Sequence, residues 1–123
     1  MGMDEKKVKK ILDDLQKLED VQACEYAERG LEAIMPNIKL RLKDIDLWNL
    51  VSKTTDKFFE IAEDFYKYDV NKIYFEIGDL EVILSLIEPT IALIVIISSL
   101  ANKGLLEVEI ENARRQIVEL RKE

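Results

Sequence analysis

The sequence predicts an α+β sandwich, a sheet with amphipathic helices on both faces, and three observations carry that prediction. The first is residues 71–101, the only long apolar region, which Gly78-Asp79 and Glu88-Pro89-Thr90 cut into three pieces rich in Ile, Val, Phe and Tyr. Pieces of that kind suit a pleated surface, and Pro89 breaks any single helix drawn through the second and third. The second is the last piece, residues 91–97, which scarcely alternates. A strand without alternation is covered on both faces and belongs at the centre of a sheet. The third is that the rest of the chain reads as long amphipathic helix or short hairpin, suited to covering that sheet.

Residues 3–18 carry Val8, Ile11, Leu12, Leu15 and Leu18 at helical spacing, with Lys and Asp on the other face. Asp4 suits the N-cap, and the composition changes near Asp20. The text VQACEYAERGLEAIM, residues 21–35, divides at Glu28-Arg29-Gly30 into strands over 21–27 and 31–35. Gly30 supplies the positive φ of a tight hairpin, although the Ala and Glu content keeps a helical reading of 22–34 open. Pro36-Asn37 closes the second strand, and residues 38–42 stay open between loop and ordered structure.

After Asp44 or Asp46 as N-cap, a long helix is expected to about Tyr68. A third strand, residues 72–77, alternates Ile73, Phe75 and Ile77 against Lys72, Tyr74 and Glu76. Strands over 81–87 and 91–98 follow, with Pro89 in the turn between them. Asn102-Lys103-Gly104 opens a last helix, on which Leu106, Ile110, Ala113, Ile117 and Leu120 recur at helical spacing. Glu107 and Glu109 near its start and Arg121 and Lys122 at its end follow the order the helix dipole favours.

Composition narrows the classes of function. A chain of 123 residues, 48% of them hydrophobic, is expected to form one domain over 1–123 with a single core. Its net charge of -7 repels a phosphate backbone, so no nucleic-acid partner is expected. Cys24 is the single cysteine, which excludes an internal disulfide and suits a reducing, cytoplasmic setting. Glu81, Glu88 and Pro89 interrupt the apolar run from Leu80, so no membrane insertion is expected. The opening MGMDEKKVKK has no apolar signal core, and Lys6 stands where a myristoylation pattern wants Ser or Thr.

No catalytic constellation is visible. With no histidine, the Ser-His-Asp and Cys-His arrangements are excluded, and zinc would have one thiol and carboxylates only. Gly30, Gly78 and Gly104 are isolated, so there is no phosphate loop. Asp44, Asp46, Glu60, Glu63 and Asp64 read as caps and a solvated helix face. No enzyme activity, cofactor or metal is expected.

The long helix carries two stripes. Leu47, Val51, Thr54, Phe58, Ile61, Ala62 and Phe65 form one apolar face, and Trp48, Thr55, Phe59 and Tyr66 form a second beside it. One stripe suffices to cover a sheet. The second is either a broad buried face or a subunit interface, and the interface is favoured because an aromatic row left in water forgoes roughly 1.5–3 kcal/mol per side chain. A third strand at a sheet edge would add Tyr74 and Phe75 to that interface.

The order helix, two strands, long helix, three strands, helix resembles the roadblock/dynein light chain family. The run IALIVIISSLANKGLLEVEIENAR, residues 91–114, carries the resemblance: an apolar last strand, then Asn102-x-Gly104, then Leu105 and Leu106 opening a helix. Val21 and Gly30 also fit, whereas Glu25, Tyr26 and Glu28 depart from the usual text of the first hairpin. The resemblance implies a profilin-like α/β sandwich with a five-stranded antiparallel sheet in the order 2-1-5-4-3. It places the long helix on one face and the terminal helices on the other. It further implies a non-catalytic homodimer, joined through long helices and third strands, that serves as a platform for a Ras-like small GTPase and stimulates its GTP hydrolysis in some relatives. A structural adaptor and a small-molecule sensor are the alternatives.

Overall fold

The Asp4 carboxylate starts α1 (Glu5–Gln16), accepting from the amides of Lys6 at 3.0 Å and Lys7 at 3.4 Å. The computed structural model describes residues 4–38 and 41–122, so the expected helix start at Met3 and residues 39 and 40 of the 38–42 segment lie outside it. Strand β1 (Val21–Glu28) follows, then α2 (Ile45–Asp64), capped by Asp44, whose Oδ1 accepts from the Leu47 amide at 3.1 Å. Helix α2 stops short of the expected Tyr68: Tyr66–Tyr68 form a 3-10 turn, and Asp69 turns the chain with φ 58°. Strands β2 (Lys72–Ile77), β3 (Leu80–Glu88) and β4 (Ile91–Ser98) lead to α3 (Lys103–Lys122).

The sheet is antiparallel in the order β1-β4-β3-β2. Ile77 pairs with Leu80 across a two-residue turn in which Gly78 has φ 60°, a conformation that costs a residue with a Cβ. Strand β4 is buried on both faces. Val95 and Ile97 face α1 and α3 with Val8, Leu12, Ile110 and Ile117, while Ile94 and Ile96 face α2 with Val51, Phe59 and Ala62. Each such side chain withdrawn from water contributes roughly 1.5–3 kcal/mol, so β4 is the thermodynamic axis of the fold.

The five-stranded sheet in order 2-1-5-4-3, and the element order α-β-β-α-β-β-β-α, are overturned. Among the described residues there are four strands in the order α-β-α-β-β-β-α. The expected strand over 31–35 meets β1 at a single bridge, Tyr26 with Ile34, whose amides and carbonyls exchange bonds of 2.9 Å. Continuing that register would oppose Cys24 to Pro36, which has no amide to donate, and Glu28 to Glu32, two like charges. The ladder stops for those reasons. Helical reading of 22–34 fails too, since residues 21–28 are strand.

Beyond the bridge, Arg41 fastens the segment to the end of α1. Its guanidinium donates to the carbonyls of Leu18 at 2.6 Å, Glu19 at 3.0 Å and Lys17 at 3.1 Å, and its amide donates to the Gln22 carbonyl at 3.0 Å. A cation at a helix C-terminus also answers the dipole.

Candidate interaction site

The buried face of α2 draws on both stripes: Val51 and Ala62 of the first cover the sheet as expected, and most of the second joins them. Trp48, Thr55 and Phe59 are 5%, 6% and 1% exposed and lie against the chain's own sheet, so in the single chain they have no free surface to offer a partner. Tyr66 lies beyond the end of α2 and is exposed. The rest of the first stripe faces outward: Ile61 and Phe65 are 43% and 52% exposed, with Leu47 and Phe58 half-buried beside them, and Leu50, which belongs to neither stripe, adds a 57% exposed side chain to that surface. The cause is rotation. Both stripes satisfy a 3.6-residue period, and α2 is turned so that Trp48, Val51, Phe59 and Ala62 share one core with the small Ala23 and Ala27 of β1.

The outward positions 47, 50, 54, 58, 61 and 65 are spaced by threes and fours. That rhythm lets one helix lie along another in a shallow left-handed crossing. Strand β2 runs beside this seam and is an edge strand, paired with β3 alone. Phe75 of β2 is half-buried, its ring 5.3 Å from Phe58, so helix seam and strand edge form one continuous surface. Tyr74 points to the opposite face, where its hydroxyl donates to Glu107 at 3.3 Å.

The remaining expected positions act in turns and caps. Gly30 has φ 80° in the turn closed by the Leu31 amide on the Glu28 carbonyl, and Pro89 sits in the β3–β4 turn. Asn102 caps α3, its Oδ1 accepting from the Leu105 amide at 3.2 Å. Gly104 has no steric need to be glycine, since an added Cβ meets only Asn102 Oδ1 at 3.6 Å. The Cys24 thiol is pushed up to about 12 by burial, with Asp13 and Glu25 adding to it, and it donates to the Leu12 carbonyl at 3.5 Å. Glu60 and Glu63 pair with Arg29 across from β1. No three acidic or cysteine side chains among the described residues converge as metal ligands, and no described helix is long and apolar enough to cross a membrane.

One residue of consequence stands out in the sequence only as a departure from the usual text of the first hairpin. Glu25 faces α2 between Ala23 and Ala27 and is 2% exposed. Its signal was available: a charge flanked by two alanines at the inward positions of a strand.

An antiparallel sheet in this order, with one long helix on one face and the terminal helices on the other, is a roadblock-type fold. Solved structures carry it. Myxococcus xanthus MglB superposes with a TM-score of 0.74 at 13% identity, covering 99% of this chain and 92% of that one. A roadblock/LC7 domain from Streptomyces avermitilis gives 0.64 at 13% identity, covering 89% and 92%. An MglB structure described as having a tetrameric arrangement gives 0.67 at 10% identity, covering 98% and 91%. At such identities the likeness shows the fold. No protein-family model and no curated protein matches the sequence.

Proposed function

We propose that the chain is a non-catalytic homodimeric platform that binds a Ras-like small GTPase. The observation that carries the pairing is the continuous surface of α2 seam and β2 edge, where exposed Leu50, Ile61 and Phe65 adjoin a strand bonded on one side only. Two copies related by a two-fold axis would pack seam on seam and extend the sheets strand to strand. The likeness to MglB and roadblock domains, one of them in a tetrameric arrangement, supports assembly through such a surface. The GTPase partner rests on the roadblock resemblance. Stimulated hydrolysis, where it occurs, works by repositioning the GTPase's own switch residues.

The test has two stages. Light scattering on the 14.3 kDa chain is expected to give twice that mass, and Ile61→Asp is expected to return it to the single-chain value. The dimer is then immobilised and offered lysate of the source organism with GDP or a non-hydrolysable GTP analogue. A small GTPase retained preferentially with the analogue supports the reading. An intact dimer that retains none in either nucleotide state refutes the GTPase part and leaves a structural adaptor.

A further inference from the structure

Between the helix-facing side of β1, the segment 28–35 and the N-terminal half of α2 lies a cavity of about 450 Å³. That size is in the range of small-molecule sites. Its walls are apolar and aromatic where Trp48, Phe59 and Met35 line it. Into it looks the Glu25 carboxyl, and among the described residues no hydrogen bond or ion pair reaches that group. A buried carboxylate without a partner is costly, so something must either neutralise it or bind it.

The surroundings say which kind of group would bind. Among the described residues the cavity is also lined by Glu28, Glu32 and Asp56 and by no Lys or Arg, although the Glu28 carboxylate turns to the other face of β1, where it meets Tyr26 and Arg121. Arg29, next along the chain, is held outward by Glu63 and Glu60. Among the described residues, the charged side chains left to line the cavity are therefore acidic. The carboxylates among the described residues do not converge as a metal site, and the apolar and aromatic walls suit a cation whose charge sits on one end of an organic body. Trp48 adds an aromatic face of the kind that attracts such cations.

We propose that this cavity binds a small organic cation, an ammonium or guanidinium carried on an apolar or aromatic body, with the Glu25 carboxylate as its counter-ion. The site stands apart from the β2 edge and does not depend on the pairing proposed above. Binding is coupled to proton release, because burial alone raises the Glu25 pKa to about 7. An ammonium that stays charged across the range is therefore bound more tightly at pH 8 than at pH 6.

The experiment titrates the full chain with phenethylamine and follows Trp48, the single tryptophan, by fluorescence. A saturable change is expected. 2-Phenylethanol, the same body without the charge, should bind about tenfold more weakly or worse. Glu25→Gln should lose the preference for the amine, and Ser52→Phe, an exposed helix position at the cavity mouth, should abolish binding with the thermal midpoint retained. Absence of a saturable response, equal affinity for amine and alcohol in the wild-type chain, or wild-type affinity in Ser52→Phe overturns the proposal. These three readings hold even where Glu25→Gln folds poorly.

Discussion

Phe59→Ala and Ile61→Asp, two residues apart on α2, are expected to fail in different ways. Phe59 is 1% exposed and packed between α2 and the sheet, so truncation removes buried ring and leaves a void, at a cost of about 3–5 kcal/mol. That is a large share of the roughly 5–15 kcal/mol that holds a domain folded, and for this chain length it lowers the thermal midpoint by about 10 °C or more. Ile61 is 43% exposed. A charge there costs the protomer within about 0.5 kcal/mol, but buried in a seam it is unpaired and prevents close packing. Thermal unfolding and light scattering are run on both variants at one fixed concentration, because pairing itself raises the midpoint. Phe59→Ala should melt early yet still associate below its midpoint; Ile61→Asp should keep its circular dichroism and run as a single chain. The reverse pattern, with Phe59→Ala stable but monomeric and Ile61→Asp dimeric, would return Phe59 to the interface and refute the assignment of the stripes.

Substitutions at three further positions probe the fold itself. Glu25→Gln tests the buried carboxyl through pH: between about 4.5 and 7 the folded chain holds a proton there that the unfolded chain has released. Stability therefore falls as pH rises through that window, by up to roughly 3 kcal/mol, and stays low above it. The variant, which does not titrate, should be the more stable form at pH 8 and lose that advantage by pH 4.5. A constant difference across the range would contradict the burial. Asp44→Ala should cost about 1 kcal/mol by urea unfolding, through loss of the cap on the Leu47 amide. Arg41→Ala frees three carbonyls at the end of α1 and should cost about 1–2 kcal/mol, with Arg41→Lys restoring only part, since a lysine cannot fork across them; full rescue by lysine would show that charge alone suffices.

What could be read in the sequence was what depends on one period in one segment. Residues 91–97 announced a strand covered on both sides because nothing polar interrupts them, and Gly78-Asp79 marked a two-residue hairpin by its own chemistry. The errors fall where two answers share a local pattern. Both stripes of α2 have helical spacing, and the face that is buried, Trp48, Val51, Phe59 and Ala62, draws on both of them because it is set by what lies across the layer. The strand over 31–35 has acceptable local text, yet its pairing depends on what stands opposite, and there Pro36 and the Glu28–Glu32 opposition stop the ladder. The inward aim of Glu25 depends likewise on the register of β1 against β4, where it lies opposite Ile94.

The two edges of the sheet are treated differently, and that difference yields a last test. The outer edge of β1 is guarded by a proline, by opposed glutamates and by the segment that Arg41 holds across it. Strand β2 carries no proline, no bulge and no covering segment among the described residues, although a bare edge invites aggregation. Its outward-facing groups can be identified. The Leu86 amide donates to the Asn71 carbonyl at 2.8 Å, so alternation along the antiparallel ladder directs the amides of Ile73, Phe75 and Ile77 to β3 and those of Lys72, Tyr74 and Glu76 away from it. Tyr74→Pro therefore deletes a donor that the chain's own sheet does not use, and proline is tolerated at such an edge position. If β2 pairs with its counterpart, this variant should unfold within about 1 kcal/mol of the wild type while its dimer dissociates at a markedly higher concentration. Unchanged association would mean that the partner rests on the α2 seam alone and that the bare edge is covered by something other than a second β2.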